Sequence, residues 1–144
     1  MRCLLDVNVL IALLDAGHVH HPLATRWLAG KLAHGWASCP LTQNGCVRIM
    51  SAPSYPAPLS AAQVAIRLQE ATRHASHEFW SDDVSLVDGE RIDWTRVLGH
   101  RQVTDVYLLA LAVEHRGRFV TFDKRVLPAA VRGAEAKHIE VVTA

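Results

Sequence analysis

The sequence predicts a single α/β domain, with a central, mostly parallel sheet of about five short strands and helices on both faces. Two observations carry this. Short apolar runs that end on acidic or turn-forming residues alternate with longer segments whose apolar residues recur at helical spacing. No internal repeat, low-complexity tract or linker interrupts the 144 residues, so one domain over 1–144 is expected, large enough to bury a real core.

The elements follow in order. Cys3-Leu4-Leu5 is a buried strand closed by the turn signal Asp-Val-Asn, after which Asn8 heads an apolar helix ending near Gly17. Pro22 starts a second helix with Leu23, Trp27, Leu28 and Leu32 on one face, stopping around Gly35. Trp36 to Cys39 forms a second strand, and Thr42 is an N-cap for a helix through Val47, Arg48 and Met50. "SAPSYPAP" breaks the chain, and Ser60 caps a helix with Val64, Leu68 and Ala71 on one face. "HEFWSDDVSLVD" holds a third strand. Thr104 caps "DVYLLALAVEHRG", apolar on most sides and therefore a buried helix. "RFVTFD" and "IEVVT" supply the last two strands.

Composition narrows the class. No apolar run approaches the length of a membrane span, and no export-signal pattern opens the chain. Cys3, Cys39 and Cys46 are odd in number, lack metal-type spacing and sit among apolar residues, which suits a reducing compartment, so a cytoplasmic location is expected. The net charge of +1 is uninformative by itself. If a cation neutralised Asp6, Asp105 and Asp123, 11 of the 14 acids would face 15 Lys and Arg, a balance of +4 compatible with phosphate binding.

Those three acids are the chemical signal. In an open α/β sheet, ligands bind outside the carboxyl ends of the strands where strand order reverses. Asp6 and Asp123 each follow a predicted strand, and Asp105 opens the buried helix that feeds "RFVTF". Singly, each has a structural role available: a turn for Asp6, a helix-dipole partner for Asp105, a cap for Asp123. Together at one rim they would repel unless a cation neutralised them. Oxygen ligands with no His or Cys point to Mg²⁺ or Mn²⁺, the cations of phosphate chemistry.

The stretches "LLDVNVLIALLD", "HHPLATRWL", "CPLTQNGCVRIMS", "FWSDDVSL" and "GHRQVTDVYLLALAVEHRGRFVTFDKRV" resemble the PIN-domain ribonuclease toxins of the VapC type, over nearly the whole chain. The resemblance implies a PIN-like fold and a metal-dependent endoribonuclease, with Asp6, Asp105 and Asp123 as the metal-binding acids of the catalytic site. It implies supporting roles for Asn8, Thr104 and Thr121. It also implies an RNA substrate, a homodimer, and a small antitoxin whose C-terminal segment covers the acids. Segments 22–34 and 60–73 are the expected contact surfaces. The family's second acid stands in the frame "TExGFxR"; here the frame reads "TQNGCVR", so Gln43 replaces a glutamate in the catalytic set and one negative charge is missing. Arg48 matches the basic residue of that frame, and His100, Arg101, Lys124 and Arg125 flank the acids as RNA-phosphate contacts.

Two other readings remain. "LLDVNV" resembles the nucleophile motif of haloacid-dehalogenase-type phosphatases, but Asn8 stands where a proton-donating acid is needed. A degenerate PIN domain that binds RNA or a partner without cleaving is favoured by Gln43. "HVHH", His18 to His21, is expected to be structural rather than a zinc site. Trp27 and Trp36 are expected in the core, with Trp80 and Trp94 undecided. Asp82, Asp83, Asp88, Glu90 and Asp93 are expected to be a solvated acidic loop.

Overall fold

The computed structural model describes residues 1–144. Five strands and five helices follow one another as β1 (Cys3–Leu5), α1 (Val7–Leu14), α2 (His21–Ala29), β2 (Trp36–Ser38), α3 (Pro40–Met50), α4 (Ala61–Thr72), β3 (His77–Phe79), α5 (Val103–Glu114), β4 (Arg118–Thr121) and β5 (Ile139–Val141). All pairings are parallel, in the order β3-β2-β1-β4-β5. The chain builds outward from β1 to β3, then returns to the other side of β1 with β4. Strand order therefore reverses between β1 and β4, the location where α/β sheets open a crevice.

Both faces of the sheet are covered, which is why β1 reads as an unbroken apolar run. Leu4, Ala37 and Phe119 face α5, joining Leu108, Leu109 and Leu111. Cys3, Leu5, Trp36 and Val120 point the other way, onto Val9 and Leu10 of α1, Met50 of α3 and Val64 and Leu68 of α4. The two-residue strand period sends alternate side chains to the two cores. All three cysteines are free and buried, and burial pushes the Cys39 thiol up to about 11 and Cys46 to about 12. No helix is long and apolar enough to cross a membrane.

Close backbone approach sets one joint. A Cβ at Gly117 would lie 2.5 Å from the Trp80 ring and 2.7 Å from the Arg2 carbonyl oxygen, so the entry to β4 passes where only hydrogen fits. That ring is itself stacked on His115, with centroids 4.4 Å apart. Trp80 is thus a core residue.

Helix starts differ from the sequence expectation at three places. Asp6, not Asn8, is the N-cap of α1, because the helix begins directly at the strand end. Pro40 begins α3, so Thr42 lies inside the first turn, where its hydroxyl accepts from Cys39 N–H at 3.0 Å and donates to the Cys39 carbonyl at 3.1 Å. Proline tolerates that first position because its missing N–H has no partner there. A 3₁₀ turn over His100–Gln102 leads into α5, so Thr104 is exposed within the first turn rather than capping it. The second helix stops at Ala29, and a 3₁₀ turn over Leu32–His34 carries the chain to Gly35, whose φ of +74° suits glycine.

The acidic loop is more than a solvated surface. Asp82 accepts the Leu41 N–H of α3 at 3.0 Å, Asp83 meets His115 Nε2 at 3.0 Å, and Glu90 pairs with Arg132 at 2.8 Å. Asp93 caps the turn at Trp94–Arg96, leaving Trp94 45% exposed. Trp27 is partly buried and donates to Glu140 at 2.9 Å, so its ring is a bridge at the edge of the core. His21 Nδ1 donates to the Ala12 carbonyl at 2.7 Å, and His18 Nδ1 accepts the His20 N–H at 3.0 Å, local bonds that shape the turn before α2.

Candidate active site

Asp6 leaves the carboxyl end of β1 and Asp123 lies just past the end of β4, at the point of strand reversal. The Asp6 N–H still bonds to the Val120 carbonyl at 2.9 Å, which locks its backbone to the neighbouring strand. Thr121, the last residue of β4 and fully buried, donates its hydroxyl to Asp6 Oδ2 at 2.6 Å. The same hydroxyl accepts the Asp123 N–H at 3.1 Å. One threonine thus fixes the positions of two acids. Asp105 arrives from the first turn of α5, where its negative charge suits the helix dipole.

Asp6, Asp105 and Asp123 line one open hollow together with Asn8, Arg101, Thr121, Phe122, Lys124 and Arg125. Acids from three distant segments therefore converge as the sequence led us to expect. His100 lines the neighbouring hollow, which also reaches Asp105 and Asp123. Gln43, Arg48 and Thr104 line neither. Arg48 and Thr104 are exposed on α3 and α5. Gln43 sits in α3 past the carboxyl end of β2, and its Nε2 donates to Ser38 Oγ at 3.1 Å. Ser38 is fully buried and also bonds His77 Nε2 at 2.8 Å. No sequence signal pointed to this Gln43–Ser38–His77 chain, because it joins three elements whose register only the fold defines.

Two of the three acids are raised and the third is lowered. Asp105 is pushed up to about 6 by burial first, then by the charges of Asp6 and Asp123. Burial also raises Asp6, opposed by its bonds from Thr121 and the Val7 N–H. Asp123 is held below the ordinary carboxylate range by Arg125, whose Nε and Nη2 grip its two oxygens at 3.0 and 3.1 Å. This bidentate fork is a good geometry, yet Arg125 is 81% exposed, so the pair is weak and easily exchanged.

No three of the His, Cys, Asp and Glu side chains stand in a ready-made metal-binding group. The donor chemistry nevertheless fits a hard cation. Three carboxylates share one solvent-open hollow without a thiolate or imidazole, their mutual repulsion is visible in Asp105, and the Arg125 guanidinium occupies the oxygens of one of them. A divalent cation here would need the three carboxylates to draw together and the exposed Arg125 guanidinium to leave Asp123.

Residues 3–132 match the family model described as PIN domain. Over 139 residues the chain is 54% identical to "Ribonuclease VapC44" of Mycobacterium tuberculosis, covering 96% of this chain and 98% of that protein. It is 46% identical to "Ribonuclease VapC39" of the same organism, covering 92% and 96% of the two chains. It is 42% identical to "Ribonuclease VapC38", again from M. tuberculosis, covering 85% and 86%.

Proposed function

The chain belongs to the PIN-domain family, and from that premise we propose that it is a VapC-type toxin, an endoribonuclease that hydrolyses RNA phosphodiester bonds with Mg²⁺ or Mn²⁺. The observation that carries the proposal is the convergence of Asp6, Asp105 and Asp123 in one hollow whose rim bears Arg101, Lys124 and Arg125.

Asp6, Asp105 and Asp123 would hold the cation. The chemistry such a cation would supply is polarisation of the scissile phosphate and a lowered pKa for a bound water, so no protein nucleophile would be required. The protein's own contribution is preorganisation: Thr121 orients Asp6 and anchors the backbone of Asp123. Arg101 and Lys124 draw RNA phosphates to the rim, and Arg125, released from Asp123, joins them. Asn8 lines the same hollow with a neutral amide.

End-group analysis of cleaved RNA tests the chemistry. Hydrolysis by water gives products with a 5′-phosphate or a 3′-phosphate directly. Products carrying a 2′,3′-cyclic phosphate would mean attack by the RNA's own 2′-hydroxyl and would overturn the proposal.

Gln43 shapes a second prediction. Glutamate at this position restores the missing charge but cannot donate to Ser38. We expect Gln43→Glu to bind Mn²⁺ about tenfold more tightly, measured by calorimetry, with faster cleavage. Ser38 would then donate to the new carboxylate, and His77 would have to donate to Ser38 in turn. Burial now lowers the His77 pKa. The variant should raise it, which NMR titration of His77 reads directly. Unchanged metal affinity and unchanged cleavage would show that charge at this position is irrelevant. The non-cleaving alternative, in which Gln43 marks a PIN domain that only binds RNA or a partner, requires that wild type make no metal-dependent products while still binding RNA after Asp6→Asn.

The names of the relatives support a small VapB-like antitoxin as partner and, by family likeness, a homodimer; the three free, buried cysteines suit a reducing, cytoplasmic location. Apolar side chains left in water at Leu32 and Ile66, 42% and 55% exposed, lie in the two segments expected to make contacts.

A further inference from the structure

Beside the acid-lined hollow lies a second one of about 320 Å³, and the two share Arg101, Asp105, Asp123 and Arg125. Arg96, Leu98, Gly99 and His100 line it from the segment before α5, and Val126 and Leu127 from the segment after β4. Leu98 is 84% exposed and Leu127 67% exposed. Two large apolar side chains thus stand in water at the mouth of one pocket, where scattered exposure would carry no meaning.

Resting on the ribonuclease reading above, we infer that this hollow is a nucleobase subsite, which takes an unpaired base flanking the phosphodiester held at the three acids. The volume lies at the small end of the range for ligand pockets. A base attached next to the reacting phosphate must fall within one nucleotide of the acids, and this hollow adjoins them directly. Its walls suit a base more than a bare phosphate: Leu98, Val106 and Leu127 offer apolar surface, while the guanidinium planes of Arg96 and Arg101 can stack on a π-face. Gln102 supplies an edge donor. Its Oε1 accepts the Leu98 N–H at 2.6 Å, and its NH₂ group has no hydrogen-bond partner in the protein. The arginines and His100 oppose a cationic side chain as occupant and favour a nucleotide, whose phosphate is negative.

Gly99 offers a clean test. Its φ of −176° is ordinary extended backbone, and a Cβ there meets nothing within 4 Å. Gly99 lines the hollow, so Gly99→Leu adds apolar bulk at its wall without a clash, and Gly99→Ala serves as the control. Each of the four nucleoside 5′-monophosphates, and ribose 5-phosphate, is titrated into the full-length protein with Mg²⁺, followed by NMR. At least one nucleotide should bind about tenfold more tightly than ribose 5-phosphate in wild type and in Gly99→Ala. In Gly99→Leu the two should become equal. Equal binding in wild type, the result expected if the hollow instead seats an apolar side chain of a partner protein, overturns the subsite. So does nucleotide preference that survives Gly99→Leu. RNA cleavage by the same preparations separates the two readings. Nucleotide preference without any cleavage would sink the ribonuclease and leave the subsite standing, whereas cleavage without preference would do the reverse.

Discussion

Asp105→Asn is expected to lower RNA cleavage by at least about 1000-fold while making the metal-free protein more stable at neutral pH. The loss follows from removing one of three ligands to the cation, a deficit of roughly 4 kcal/mol in transition-state stabilisation. The gain follows from linkage. Burial and the neighbouring acids raise Asp105 to about 6 in the folded chain, against about 3.9 when unfolded. A raised carboxylate favours folding fully below the unfolded value, and that contribution is lost as pH rises through about 6. At pH 7.5 the ionised group therefore weakens the fold, by on the order of 1 kcal/mol once its partial exposure is allowed for. The variant should melt a few degrees above wild type at pH 7.5 without metal, and level with it near pH 4. Adding Mn²⁺ should raise the wild-type midpoint by mass action and leave the variant's nearly unchanged. A variant that melts lower than wild type at pH 7.5 would show that Asp105 serves the fold rather than the cation.

Phe119→Ala is expected to be the most damaging single truncation in the core. Phe119 is wholly buried on an interior strand of the sheet, with β1 on one side and β5 on the other, and packs onto α5. Removing such a ring costs about 3–5 kcal/mol, a large share of the roughly 5–15 kcal/mol that hold a domain together. The thermal midpoint should fall by roughly 10–15 °C, read by circular dichroism. The neighbouring strand residue Val120 faces the opposite core, and Val120→Ala should cost only about half as much. A Phe119→Ala midpoint within about 3 °C of wild type would contradict the packing described here.

Much of the fold is legible in the sequence because local chemistry and global position agree. The apolar run at Cys3–Leu5 needs two covered faces, and the α5 segment, apolar on most sides, supplies one of them. Acids at the ends of β1 and β4 can be read from the turn and strand patterns around them, since charge is tolerated there only at the rim. Helix starts were harder. Asn8, Thr42 and Thr104 are all good caps by residue type, yet Asp6, Cys39 and Gln102 hold those positions, because strand ends and a preceding 3₁₀ turn decide where each helix begins.

The parts of the site that escaped the sequence reading depend on contacts between elements. The grip of Arg125 on Asp123 needs the turn after β4, and the Gln43–Ser38–His77 chain needs β2, α3 and β3 in register. The second hollow is built from irregular chain around Leu98 and Leu127, where no periodicity signals structure. Asp82 looked like one charge among several in a loop, and only the fold reveals it bonding the first turn of α3.

The most direct measurement is cleavage of total RNA by purified protein with Mn²⁺, Mg²⁺ or EDTA, beside Asp6→Ala. Discrete products that require the cation and vanish in the variant are the expected result. Products that persist in EDTA or in folded Asp6→Ala, or none from folded wild type with either cation, would contradict a metal-dependent ribonuclease centred on Asp6, Asp105 and Asp123.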